Sequence, residues 1–287
     1  MAKLLMMRGL PASGKTTRAK EIMREAGNMI RVNRDQLRPM LHGDAKWSGK
    51  KEKVTRHVQR AMVKDLLDND YSVIVDDTNL RDADRERWSH VARETNAKFE
   101  VVDMDTPYDE CVHRDDRRED GVGSHVITSM ALSSGLYPYR NIILCDIDGT
   151  IADLKHRLHH IKDGNRNWGA FFAEVSEDGF FADVWRDVVR DAEESDAQII
   201  FLSGRSDVCR EDTETWLWQH CGKDVDPVVL MRKDFDRRPD TEVKRDIFDW
   251  HFSGYNIVRV YDDRPRLVAM WREMGLDVVD CGNGVDF

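Results

Sequence analysis

Gly9-Leu10-Pro11-Ala12-Ser13-Gly14-Lys15-Thr16 and Asp146-Ile147-Asp148-Gly149-Thr150 are the two stretches whose residue types and spacing could handle a phosphate. The first has the pattern GxxxxGK[ST]. Glycines at Gly9 and Gly14 let the backbone curl with its N–H groups inward, where they and a following helix N-terminus bind phosphate oxygens. Lys15 would neutralise the β and γ phosphates of ATP and Thr16 would help hold Mg²⁺, with Ser13 and Thr17 completing the expected nucleotide contacts. A glycine-rich turn with a surface lysine is the plainer alternative. The placement between the apolar run Leu4–Met7 and a helical stretch argues against it.

The acceptor side must say what receives the phosphoryl group. Asn33-Arg34-Asp35-Gln36-Leu37-Arg38 follows a second apolar run, which puts Asp35, Arg34 and Arg38 where substrates sit in open α/β folds. Asp35 suits removal of a proton from an alcohol, and Arg34 and Arg38 suit a phosphate of the acceptor. Asp76 and Asp77 end a third run and offer a carboxylate to the metal, assigned to Asp77. Arg114, Arg117 and Arg118 crowd one segment and read as a lid over the transferring group, against a salt-bridged surface helix as the alternative.

The second motif suits removal of a phosphate. Asp146 and Asp148 stand two apart at the end of a strand, so their side chains point the same way. Asp146 would attack phosphorus, Asp148 would protonate the leaving oxygen and later activate water, and Gly149 would allow the turn that presents Thr150. Facing carboxylates repel a phosphate unless a cation intervenes, so Mg²⁺ is implied, held by Asp146, Asp148, Asp262 and Asp263. Ser203, Gly204 and Lys244 are suited to the remaining phosphate oxygens.

These groups need elements to position them. Further strands are expected at Met29–Val32, Tyr71–Val75, Phe99–Asp103, Asn141–Cys145, Ile199–Leu202, Val228–Met231, Ile257–Tyr261 and Asp277–Val279, with helical segments between. That alternation predicts α/β architecture: two domains, each an open parallel sheet with helices on both faces. The boundaries expected are 1–136 and 141–287, with 137–140 as linker. Lys155–Phe181, carrying His156, His159, His160 and Trp168, fits neither period and reads as a small cap insertion.

The chain has 287 residues, 40% hydrophobic and 34% charged, a globular balance. No run reaches the roughly 20 apolar residues of a membrane span, and a cytoplasmic location is the expectation. The five cysteines are scattered and read as packing thiols. A net charge of −10 argues against nonspecific wrapping of nucleic acid, although basic groups such as Lys46, Lys50, Lys51, Lys53 and Arg56 cluster locally.

The DxDGT motif, followed by Ser203-Gly204-Arg205, Lys244 and Asp262-Asp263, resembles haloacid dehalogenase-type phosphatases from about Asn141 to Phe287. The whole order resembles the T-even phage family of 5′-polynucleotide kinase/3′-phosphatases, with NRDxxR at Asn33–Arg38, DTN at Asp77–Asn79, and DDR then MWR at Asp262–Arg264 and Met270–Arg272. This resemblance implies that Asp35 is the base acting on a 5′-hydroxyl, that Arg38 contacts the acceptor's 3′ phosphate and that Arg118 is the lid arginine. It also implies that Arg205 and Arg157 contact the 3′-phosphate strand.

The expected function is end healing. ATP phosphorylates 5′-hydroxyl ends of DNA or RNA and a 3′-phosphate is removed, with 2′,3′-cyclic phosphate as a further candidate. A separate nucleic-acid ligase is the expected partner, and T-even relatives suggest a homo-oligomer. The rivals are a small-molecule kinase fused to a nucleotidase, and an end-binding scaffold with dead sites.

Overall fold

The computed structural model describes residues 1–44, 48–162, 164 and 166–282, so Lys46 lies outside the described residues. Two compact units divide between Ser134 and Gly135.

The first unit runs β1 (Lys3–Arg8), α1 (Lys15–Ala26), β2 (Met29–Val32), α2 (Arg34–His42), α3 (Gly49–Asp68), β3 (Ser72–Val75), α4 (Asp82–Glu94), β4 (Lys98–Asp103), α5 (Tyr108–Asp115) and α6 (Ser124–Ser133). Its strands are all parallel in the order β2-β3-β1-β4. The apolar run of β1 explains its central place. Leu4 and Met6 join a core with Val32, Val63 and Trp88, while Leu5 and Met7 join another with Ala19 and Ile74. Alternate side chains therefore serve opposite faces, as a strand covered on both sides requires. Each such fully buried side chain contributes roughly 1.5–3 kcal/mol.

The second unit runs β5 (Asn141–Cys145), β6 (Ala152–Asp153), α7 (Trp168–Ala173), β7 (Gly179–Phe180), α8 (Ala182–Ser195), β8 (Gln198–Ser206), α9 (Arg210–Cys221), β9 (Val228–Arg232), α10 (Asp240–His251), β10 (Asn256–Asp262), α11 (Pro265–Glu273) and β11 (Val278–Asp280). The main sheet is parallel, ordered β11-β10-β5-β8-β9. The antiparallel pair β6-β7 brackets the inserted segment, where a 3₁₀ turn (Lys155–His160) packs with α7. Trp168, Phe171 and Phe172 form an aromatic cluster there, and His156 and His160 bond to Glu174. The insertion is thus a small cap with its own packing.

Residues 137–140, expected as the linker, pack against the second unit. Tyr137 is buried, its ring lies 5.4 Å from Tyr139 and 6.3 Å from Tyr255, and the Arg140 carbonyl accepts from Asn256 N–H. Aromatic packing ties this stretch to the second unit, a contact that local composition does not reveal.

Candidate active sites

In the first unit every strand is parallel, so β1, β2 and β3 all deliver the residues that follow them to one edge of the sheet. The loop after β1 turns through Ala12 at φ 58° and Gly14 at φ 90°. Gly9 is required sterically, since a Cβ there would meet the Ser13 hydroxyl at 2.8 Å and Met104 at 2.9 Å. Gly14 then caps α1, whose first residues are Lys15, Thr16 and Thr17. Lys15 is buried, with Nζ donating to the Leu10 carbonyl at 2.5 Å and lying 3.4 Å from the Ser13 hydroxyl. Burial pulls its pKa down to about 8 against the opposing attraction of Asp76.

The carboxylate facing Thr16 is Asp76, whereas Asp77, expected at the metal, faces Gln59 and Arg34. Thr16 Oγ1 donates to Asp76 Oδ2 at 2.9 Å and Arg31 Nε donates to the same oxygen at 2.6 Å. Asp76 Oδ1 is buried and accepts no hydrogen bond. Asp77 instead accepts from Gln59 Nε2 at 2.6 Å and from Arg34 N–H at 3.0 Å. Adjacent residues at a strand end point to opposite faces, which is why only one of them reaches the P-loop. A cation bound by the Thr16 hydroxyl and Asp76 would fit this donor set of hard oxygens.

α2 begins where the Asn33 side chain accepts from Gln36 N–H, and this cap starts the helix that carries Asp35 and Arg38 one turn apart. Asp35 is largely exposed, and Arg38 Nη1 donates to its Oδ1 at 3.0 Å. The organising group is Glu52 on α3, which sequence reasoning missed. It is buried at 3% exposure and accepts from Arg34 at 2.6 Å and from Arg38 at 3.1 Å. Arg34, expected to bind substrate, is spent on Glu52 and Asp77. The signal for Glu52 was an acid in an otherwise basic run, Lys50-Lys51-Glu52-Lys53.

Of the arginines expected to form a lid, Arg114 lies beside the P-loop, its Nη1 3.9 Å from where a Cβ on Gly14 would stand. Arg118 is half-exposed and paired with Asp120 at 3.0 Å. Arg117 is exposed.

In the second unit β5 delivers Asp146 and β10 delivers Asp262 and Asp263. Oxygens of these three buried carboxylates lie within 4.8 Å of one another. Lys244 Nζ reaches Asp146 and Asp262, each at 2.9 Å, and Trp271 Nε1 donates to Asp262 at 3.1 Å. Burial, together with the neighbouring Asp262 and Asp263, pushes Asp146 above the usual carboxylate range against the pull of Lys244. Asp263 rises likewise through burial and Asp262, and its Oδ1 is buried without a hydrogen-bond partner. Crowded, destabilised carboxylates of this kind fit a hard dication such as Mg²⁺, whose charge would restore their ionised form.

Asp148, expected among the metal residues, turns its carboxylate to two arginines and not to that triad. Its Oδ1 accepts from Arg157 at 2.7 Å and from Arg205 at 2.6 Å. Both guanidiniums are buried and both also pair with Asp178, at 2.6 and 2.5 Å. Burial would raise Asp148, but Arg205 and Arg157 overcome it and hold the carboxyl well below its usual range. The pair register of β8 with β9 shifts between Ser203 and Ser206, and Arg205, within this irregular stretch, is buried. The two arginines expected to touch the strand thus engage Asp148 and Asp178. Ser203 is fully buried and accepts from Arg205 N–H at 3.2 Å, and Gly204 O accepts from Arg232 Nε at 2.9 Å. Thr150 is fully buried with its hydroxyl unpartnered.

The fold and these sites define a P-loop unit followed by a haloacid dehalogenase-type unit. Residues 140–287 match the family described as "Polynucleotide kinase PNKP phosphatase domain", and residues 4–133 match the AAA domain. The chain belongs to the polynucleotide kinase PNKP phosphatase domain family. It is 28% identical over 306 residues to a "Putative bifunctional polynucleotide kinase/RNA ligase" of Autographa californica nuclear polyhedrosis virus, covering 96% of this chain and 42% of that protein. It is 26% identical over 131 residues to an L-seryl-tRNA(Sec) kinase of Methanococcus maripaludis, covering 44% of this chain and 50% of the relative. The chain therefore spans half or less of the length of the curated relatives it matches. A solved structure titled "Structure of the Pnkp1/Rnl/Hen1 RNA repair complex" is 27% identical, covering 100% of this chain and 97% of that one, with a TM-score of 0.43. Among the described residues no helix is long and apolar enough to cross a membrane.

Proposed function

We propose that this chain heals broken nucleic-acid ends, phosphorylating a 5′-hydroxyl from ATP in the first unit and removing a 3′-phosphate in the second. The observation that carries the reading is the presence, in a chain of the PNKP phosphatase family, of a P-loop unit whose Lys15, Thr16 and Asp76 meet at the edge that also holds Asp35 and Arg38. In the kinase unit the curled loop and Lys15 bind the triphosphate, Asp35 takes the proton of the acceptor hydroxyl, and Glu52 holds Arg38 for an acceptor phosphate. Arg114 or Arg118 closes over the transferring group.

In the phosphatase unit Asp146 attacks phosphorus, forming an aspartyl-phosphate that water then hydrolyses. Mg²⁺ held by Asp146, Asp262 and Asp263 would offset charge between nucleophile and phosphate. Asp148, kept anionic by its arginines, is suited to taking a proton from the hydrolytic water. Donating a proton to the leaving oxygen requires those arginines to part from it, which a phosphate drawing on Arg157 and Arg205 would permit. The products are substrates for a nucleic-acid ligase, the partner we propose.

The test uses an oligonucleotide with a 5′-hydroxyl and a 3′-phosphate, labelled ATP and Mg²⁺, following both ends. Lys15→Ala and Asp35→Ala abolish 5′ labelling and spare 3′ dephosphorylation, and Asp146→Asn does the reverse. Labelling of free nucleosides without oligonucleotides would instead establish a small-metabolite kinase.

A further inference from the structure

The loop 116–122 carries Arg117 and Arg118, and a single residue holds both of its ends. Asp115, the last residue of α5, is 2% exposed. Its carbonyl accepts from Arg118 N–H at 3.0 Å, and its Oδ2 accepts from Gly123 N–H at 2.8 Å, immediately before α6. The loop closes tightly over it: a Cβ on Gly121 would stand 2.7 Å from the Asp115 carbonyl oxygen and 3.1 Å from Oδ2. The flanking helices are themselves anchored. The hydroxyls of Tyr108 on α5 and Thr128 on α6 bond at 2.6 Å, and Thr106 Oγ1, just before α5, donates to the Ser13 carbonyl of the P-loop at 2.9 Å. Asp115 Oδ1 is buried and accepts no hydrogen bond. Stability disfavours a buried carboxylate satisfied on one side only, so this acid is explained by the loop it shapes and not by the core.

Arg118 is the side chain that the loop presents. Its guanidinium is half-exposed and paired with Asp120 at 3.0 Å, an exposed pair of small worth that a phosphate can replace. The Asp120 hydrogen bond raises the Arg118 pKa and the charges of Asp115 and Asp35 add to that, so Arg118 stands within the field of the acceptor-side base. Arg114 is bound along its own helix to Glu110 at 2.7 Å. We propose that Asp115 is a positioning residue for phosphoryl transfer, fixing the 116–122 loop so that Arg118, released from Asp120, reaches the transferring group. The assignment rests on the kinase reading above and adds which arginine acts and what aims it. An arginine stabilises a transition state most when no loop has to reorganise as it arrives, so a carboxylate that never touches the nucleotide governs kcat through it.

Kinetics of 5′ phosphorylation by the full chain test this, as a double-mutant cycle of Asp115→Ala and Arg118→Ala with 3′ dephosphorylation and thermal unfolding read alongside. Asp115→Ala lowers kcat about tenfold or more and leaves KM for the acceptor oligonucleotide within about twofold. Asp115→Asn, which keeps an oxygen for Gly123 N–H, stays within about threefold of wild type. Adding Asp115→Ala to Arg118→Ala costs nothing further. Gly121→Ala pushes on the loop from the other side with Asp115 in place, and gives the same kcat loss with the same dependence on Arg118. That second cycle carries the decision where Asp115→Ala fails to fold. Losses that multiply in the double variants overturn the assignment, as does an unchanged kcat in Arg118→Ala or in both loop variants. A wild-type chain that phosphorylates nucleosides and no 5′-hydroxyl oligonucleotide overturns the end-healing reading, and the same cycles on the nucleoside then decide the role of Asp115 separately.

Discussion

Lys15 shows how far burial alters a residue that pattern recognition treats as a fixed charge. With its pKa lowered to about 8 by burial, free Lys15 loses its proton as pH rises through that value. Triphosphate oxygens raise the pKa again, so the bound form keeps a proton that the free form has shed. ATP binding between about pH 8 and pH 9 is therefore accompanied by proton uptake, and affinity falls as pH rises. Calorimetry in two buffers of different ionisation enthalpy measures that uptake, and equal heats would contradict it. Asp178 illustrates the opposite case, a residue with no motif that neutralises two buried guanidiniums. Asp178→Ala leaves Arg157 and Arg205 sharing Asp148 alone, at a cost of about 3–5 kcal/mol. Thermal unfolding should show the second unit destabilised while 5′ phosphorylation persists.

At the scale of elements, the turn after β5 does the positioning. Gly149 has φ 81°, and a Cβ there would lie 1.9 Å from Asp263 Oδ2. Backbone conformation and close approach both demand glycine, because the turn brings the end of β5 against the end of β10. Gly149→Ala must displace Asp263 from the triad. The expected result is a half-saturating Mg²⁺ concentration for 3′ dephosphorylation raised about tenfold or more, with 5′ phosphorylation intact. A Mg²⁺ titration of both activities reads this directly. α2 and α3 work by the same logic in the other unit, since Glu52 on one fixes Arg34 and Arg38 on the other.

Across the whole molecule, each unit has its own sheet and cores, and the division falls between Ser134 and Gly135. Separate polypeptides 1–134 and 135–287 should each fold cooperatively, the first retaining 5′ phosphorylation and the second 3′ dephosphorylation. Circular dichroism melts and the two assays check this, and loss of folding in either piece would contradict it. The strands were legible because each is a short apolar run ended by chemistry, as in Leu4-Leu5-Met6-Met7 before Gly9 and Asn141–Cys145 before Asp146. Parallel order then follows from the helices between them. The P-loop glycines and the DxDGT turn were legible too, because their function depends on local backbone geometry that neighbouring residues specify. Partners distant in sequence were not. Asp76 rather than Asp77 facing Thr16, Glu52 beneath two arginines, and Arg157 and Arg205 closing on Asp148 are contacts spanning 9 to 60 positions. The amino-acid sequence determined which reactive groups exist and which strand end carries each. Only tertiary packing decided which charges meet, because a buried charge takes whichever opposite charge the fold brings within reach.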